Sequence, residues 1–134
     1  PEEDRPMLWL KAWGAALLAV GVLDALWLGW LARGFYVREL GDLMTPQVRA
    51  LPALLFYLGY PAGLVTLLLW PRPDALPEAV LRAALVGLLV YGTYDLTNMA
   101  TLRHWSLRLA LVDIAWGTLV SAAAGAAAFA ATRP

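Results

Sequence analysis

The chain has no cysteine, a single lysine (Lys11), a single histidine (His104) and a formal net charge of zero. Each scarcity closes off a class of chemistry. Without thiols there is no disulfide framework, no thiol nucleophile and no thiolate metal site. With one histidine, neither a Ser-His-Asp triad nor a histidine metal cluster can be assembled except through His104, whose place beside Arg103 suits a lipid headgroup contact better than catalysis. Lys11 lies near a membrane edge, a poor position for attaching retinal through a Schiff base. Basic and acidic residues number ten each, so there is no electrostatic footprint for nucleic acid or for an acidic surface.

What the chain has in abundance is apolar surface. Of 134 residues, 61% are hydrophobic and 15% charged, with a mean hydropathy of +0.64. A soluble domain of this size could not bury so much, which makes the class integral membrane protein. Residues 1–134 read as one membrane domain with four spans, at about 7–31, 51–70, 78–101 and 109–131, each near the roughly 20 helical residues that cross a bilayer. Open strands are excluded because lipid cannot satisfy their backbone groups, so the expected fold is an all-α four-helix bundle. Lys11 precedes an apolar run too long for a signal peptide, with no cleavage-like stop, and none is expected.

Punctuation agrees with these spans. The segment "WPRPDALPE" carries three prolines, with Pro77 suited to the first turn of the third helix, and Ser106 can cap the fourth. In the longest connection, Tyr36, Val37, Leu40, Leu43 and Met44 recur at helical spacing, with Arg38, Glu39 and Asp42 off that stripe. This predicts a short helix in the membrane interface, with a plain solvated loop as the alternative. Trp9, Trp13 and Trp70 fall near one face and Trp30, Phe35 and Trp105 near the other, as interface anchors do. Arg5, Lys11, Arg72, Arg82 and Arg133 lie on the side of the termini, against Arg33, Arg38, Arg49, Arg103 and Arg108 opposite. The positive-inside rule therefore gives no orientation.

Three acids, Asp24, Asp95 and Asp113, fall within spans. An ionised carboxylate there is costly without partners, and so marks either a functional site or a hydrogen-bonding group that holds helices together. Counted from the face where the first and third helices end, the three lie about 6 to 10 Å deep at 1.5 Å per residue. They share one leaflet, under a rim of Arg33, Arg103, His104 and Arg108, with Tyr57 at the same level and Tyr60 deeper. The run "YGTYDLTNMATLRHW" lines this layer with Tyr91, Tyr94, Asp95, Thr97 and Asn98, and Thr97 and Thr101 suit interhelical contacts better than nucleophilic roles.

A repeat sharpens the layer. "LDALWLG" and "VDIAWG" both hold Asp-x-x-Trp, whose members share a helix face. Because the two helices are antiparallel, Asp24 is level with Trp116 and Trp27 with Asp113. This predicts a crossed pair of indole-to-carboxylate hydrogen bonds, the alternative being tryptophans turned to lipid. Gly59 and Gly63, and Gly117, Ser121 and Gly125, have the spacing of close helix contacts. Pro61 is expected to kink the second span. The weakly hydrophobic "SAAAGAAAFAA" is expected to be buried against neighbours.

At "LDALWLG", "YGTYDLTNMATLRHW" and "LVDIAWGT", and at "FYVRELG" after the first span, the chain resembles the small bacterial membrane proteins catalogued as domain of unknown function 2177. The likeness runs from roughly Leu23 through Ser121. It implies four helices and a membrane location, with the bacterial inner (cytoplasmic) membrane as the expected site, and supplies no activity or substrate.

From the residues, the leading expectation is a one-sided pocket of Asp24, Trp27, Tyr57, Tyr91, Tyr94, Asp95, Thr97, Asn98, Asp113 and Trp116 that binds or moves a small cationic or proton-linked solute. No catalytic residue, metal site or cofactor is assigned. Four helices are thin for a pathway, which would call for a homodimer; against movement of a solute, the inner half carries no matching polar residues. The alternatives are a membrane enzyme acting on a lipid or isoprenoid-like molecule, with an aspartate as general base, and a lipid-binding or assembly subunit whose polar layer only sets helix register.

Overall fold

A computed structural model of the chain describes residues 4–134. Among them every regular element is helical: α1 (Arg5–Leu26), which continues as a π-helical turn over Trp27–Leu31; α2 (Arg33–Leu40), followed by a 3₁₀ turn over Gly41–Leu43; α3 (Ala50–Leu69); α4 (Leu76–Thr101); and α5 (Leu107–Ala131). Four are long and apolar enough to cross a membrane: α1 with its π turn, α3, α4 and α5. Their starts fall slightly before the sequence-based edges because interface residues such as Pro6, Pro77 and Leu107 join the first helical turn. Pro77 stands in the first turn of α4 as expected. Ser106 caps α5, its Oγ accepting from the Leu109 amide at 2.9 Å.

The bundle is organised around α5, which packs most extensively against α4, then against α1, and also touches α3. Its residues explain why. Ser121, Ala124, Gly125 and Ala128 are all buried, and small side chains let helix backbones approach closely where lipid offers no hydrophobic drive to association. A Cβ on Gly117 would run into the Tyr91 ring, and one on Gly125 into Ala83. From the facing helix, a Cβ on Gly87 would sit 2.5 Å from the Gly117 carbonyl oxygen and 2.5 Å from Ser121 Oγ. α5 is accordingly the best-buried of the four spans. Its neighbours in the apolar core are Ala12, Ala16 and Val20 from α1, Leu64, Val65, Leu68 and Leu69 from α3, and Ala79 and Ala83 from α4.

One packing expectation fails. Gly59 and Gly63 are exposed with open space where a Cβ would stand. On α3 the buried positions are instead Pro61, Leu64, Val65, Leu68 and Leu69, so the glycine face points away from the core. Pro61 sits inside a helix that runs unbroken from Ala50 to Leu69. One residue beyond the Tyr57 carbonyl that a proline at 61 leaves without its amide, the Leu58 carbonyl accepts from the Trp13 indole at 3.0 Å.

The long first connection is helical over Arg33–Leu40. Only part of the expected stripe is inside: Tyr36 is buried and Leu40 half-buried, while Val37, Leu43 and Met44 are exposed. The helix ends at Gly41, whose φ of 54° leaves the right-handed region. At the opposite end of the bundle, Arg82 donates to the Leu68 and Pro71 carbonyls and pairs with Glu78, satisfying backbone groups at the C-terminus of α3 that have no helical partner. Arg72 lies over the Phe129 ring at 4.4 Å and donates to Thr132 Oγ1 at 2.8 Å.

The close contact between α4 and α5 sets a prediction. Gly87→Ala forces a methyl against backbone that cannot yield, and should destabilise the bundle by about 1–3 kcal/mol. Gly63→Ala, facing open space, should be neutral or stabilising. Thermal unfolding of the two variants in detergent measures the contrast.

Candidate functional site

Most of the polar side chains of the spans meet at the end where α1 passes into α2 and α4 turns into α5. The first cluster centres on Asp24, buried at 4% exposure on α1. Its Oδ1 accepts from the Trp116 indole at 2.8 Å and its Oδ2 from the Tyr57 hydroxyl at 2.9 Å. One carboxylate thus joins α1, α3 and α5. A buried carboxyl group needs such donors, because an unsatisfied polar group away from water is costly. Each oxygen retains one further acceptor site.

The second cluster is built on Asp113 of α5. The crossed tryptophan pair is half realised here. Asp24 and Trp116 bond directly, but the Trp27 indole does not reach Asp113. It donates to the Tyr36 hydroxyl at 3.2 Å, and Tyr36 donates to Asp113 Oδ1 at 2.8 Å. Two things displace the indole. Trp27 stacks flat on Trp116, with centroids 4.6 Å apart and planes 8° from parallel. The buried Tyr36 from α2 then takes the direct place on the carboxylate. Burial pushes the Tyr36 phenol above its ordinary value, so it stands as a neutral donor. The π turn marks the same spot: the Ala32 amide bonds the Trp27 carbonyl at 2.7 Å, and the chain leaves α1 there with Ala32 buried.

Asp95 on α4 is fully buried at 0% exposure. The Trp105 indole folds back from the turn after α4 and donates to Asp95 Oδ1 at 3.2 Å. The Trp105 ring also meets Tyr94 edge-on at 5.6 Å. Asp113 is the side-chain neighbour of Asp95 across the α4–α5 contact. The three acids are therefore linked at one end of the bundle through hydrogen bonds and the Trp27–Trp116 stack, with Asp24 and Asp95 buried and Asp113 half-buried.

Other expected members of the pocket fare differently. Tyr91 is half-buried, its ring against Gly117 and 6.2 Å from Tyr60, whose hydroxyl bonds Ser121 Oγ at 2.6 Å. Tyr94 is 54% exposed and Asn98 half-buried beside it. Thr97 does not join the layer: it is exposed and bonds the Thr93 and Tyr94 carbonyls of its own helix. Thr93 and Thr101 do the same one turn away on either side. The hydroxyl stripe thus serves α4 itself, because threonine at these positions reaches the preceding turn more easily than a neighbouring helix.

At the rim, Arg103 and His104 are exposed in the α4–α5 turn. Arg108 lies 3.7 Å from Glu39, which also accepts from Ser106 at 3.2 Å, so the start of α5 is tied to α2. Arg33 is exposed and lines a groove of about 1100 Å³. The groove runs between the end of α1, α2 with the segment after it, and the start of α3. Asp24, Tyr57 and Tyr36 stand on its wall, and Leu28, Val37, Leu40, Met44 and Val48 are its large apolar side chains. Asp95, Asp113 and Trp116 are not among its lining residues. The single pocket read from the sequence is therefore two places, a groove at Asp24 and an enclosed carboxyl pair behind Tyr36.

Two residues central to the layer escape sequence reasoning. Tyr36 reads as part of an amphipathic stripe and Trp105 as an interface anchor. The only signal for either was position: each carries a donor in a segment that flanks the ends of the spans holding the acids.

The donor pattern gives a second prediction. Trp116→Phe leaves Asp24 with Tyr57 alone, and Tyr36→Phe strips Asp113 of its donor and Trp27 of its acceptor. Each should cost about 1–3 kcal/mol. Thr97→Val, on the outer stripe, should change stability by less than about 0.5 kcal/mol. Unfolding midpoints in detergent compare the three.

Among known proteins, no curated protein and no solved structure matches the chain. A family model described as "Predicted membrane protein (DUF2177)" matches residues 9–130, which takes in all three acids, both Asp-x-x-Trp repeats, α2 and all but the outermost turns of the bundle. On that match the chain belongs to the family of predicted membrane proteins DUF2177.

Proposed function

We propose that the protein binds a small cationic, proton-linked solute from one leaflet, in the groove beside Asp24. The observation that supports the reading best is the state of that carboxylate. It lies on the wall of a groove of about 1100 Å³, held by Tyr57 and Trp116, with acceptor capacity left over. A carboxylate pre-oriented in a low-dielectric wall attracts an amine or a cation without having to reorganise when it binds. The aromatic rings around it suit an organic cation, and the apolar remainder of the wall suits one with a hydrophobic body.

On this reading α2 lies in the membrane interface as the outer wall of the groove, and the protein works in the bacterial inner membrane. Binding is favoured over translocation by a single chain. Beyond the polar layer the core is Ala12, Ala16, Leu64, Val65, Leu68, Ala83 and Ala124, with no polar side chain among these to continue a route. Movement across the membrane would take a homodimer.

Arg33 favours a second reading. An exposed guanidinium with no ion pair among the described residues, at the mouth of a largely apolar groove, also suits the phosphate of a lipid or isoprenoid-like molecule whose chain lies along Val37, Leu40 and Met44.

Tetraphenylphosphonium, a lipophilic cation, separates the two. Equilibrium dialysis in detergent should show saturable binding that Asp24→Asn weakens by about 10- to 100-fold, the loss expected when a charged partner is removed. Equal affinity in the variant defeats the cation reading. Native mass spectrometry from nanodiscs tests the second: a retained phospholipid that Arg33→Ala releases supports it, and protein free of lipid counts against it.

A further inference from the structure

The enclosed carboxyl pair carries an inference that does not depend on what fills the groove. Asp95 is fully buried; its Oδ1 accepts from Trp105, and its Oδ2 has no hydrogen-bond partner among the described residues. The group beside it is another carboxyl, that of Asp113. Asp113 in turn uses Oδ1 to accept from Tyr36.

The arithmetic of donors is then short by one. Two ionised carboxylates can only accept, so neither can serve the other, and a buried acceptor is rarely left empty. No cation among the described residues makes up the deficit. The titratable groups facing the pair are Tyr36 from α2, Tyr91 and Tyr94 from α4, and Asp24 from α1. The ion pairs Arg82–Glu78 and Arg108–Glu39 involve neither acid. Arg103 and His104 are exposed in the turn outside. No group of three acids, histidines or cysteines that could hold a metal ion occurs among the described residues. Adjacent like charges in such a setting cannot both persist.

We propose that Asp95 and Asp113 form a buried proton-binding site that holds one proton between them. The proton sits on Asp95 Oδ2 and is donated to Asp113, so the empty acceptor becomes a donor and the pair carries one negative charge instead of two. The half-buried Asp113 gives the proton its exchange route to solvent, since Asp95 has none. Tyr36 ties the site to its surroundings: its hydroxyl bonds Asp113 while its side chain lines the groove. Release of the proton therefore places a second negative charge next to the contact that holds α2 on the bundle.

Infrared spectroscopy in a maltoside detergent, which has no carbonyl of its own, reads the proton directly. Protein labelled with carbonyl-¹³C aspartate should show, at neutral pH, one neutral-acid C=O band that shifts with the label and disappears on alkaline titration. The band should vanish in Asp95→Asn and in Asp113→Asn, because asparagine supplies the missing donor and leaves one ionised partner. It should persist in Asp24→Asn, the variant that reports on solute binding, so the two readings fail separately. Absence of a label-sensitive band in the wild-type protein overturns the proposal whether or not any variant folds. Its survival in both pair variants, or its loss in Asp24→Asn, overturns it equally.

Discussion

A carboxylate in a medium without water must take its hydrogen bonds from protein, and the polar end of this molecule is arranged by that requirement. Asp24 meets it with one donor from α3 and one from α5, so three helices are tied at a single side chain. Asp113 meets it with Tyr36, and Asp95 with Trp105, neither of which belongs to a membrane-spanning helix. The short helix α2 and the α4–α5 turn are thus drawn against the bundle by the acids beneath them. Glu39, bonded to Ser106 and near Arg108, adds a second tie between the same parts.

The two halves of the bundle cohere by different physics. Away from the acids, Gly87, Gly117, Ser121, Gly125 and the alanines of α5 let backbones approach until dispersion contacts hold them. Near the acids, tryptophan and tyrosine rings occupy the interior, and attraction is carried by a few oriented bonds and by the flat Trp27–Trp116 stack. Bulky rings fill space less evenly than alanines, and the groove of about 1100 Å³ lies on this side, where α2 and the start of α3 face the end of α1. The asymmetry leaves an open groove at one end and a tight apolar seam at the other.

The layer also separates two kinds of acid. Asp24 has a donor on each oxygen and faces the groove. Asp95 has a donor on one oxygen and faces another carboxyl. The first arrangement satisfies both oxygens with donors from protein, and the second leaves one oxygen without a donor. Tyr36 touches both places, so a change at either one has a short physical path to the other.

The helices, their order and the common depth of Asp24, Asp95 and Asp113 were legible in the linear chain. They depend on apolar run length, on punctuation by proline and serine, and on a fixed rise per residue, all one-dimensional quantities. The Asp24–Trp116 bond was legible for the same reason, since both residues sit at one depth on antiparallel helices. What needed three dimensions was the rotation of each helix about its axis and the position of segments outside the membrane. Depth alone could not show that Gly59 and Gly63 face outward, that Thr97 bonds its own backbone, or that Tyr36 comes between Trp27 and Asp113. Nor could it divide the acids into an open groove and an enclosed pair, because that division depends on which side chains fill the space between helices once they have packed.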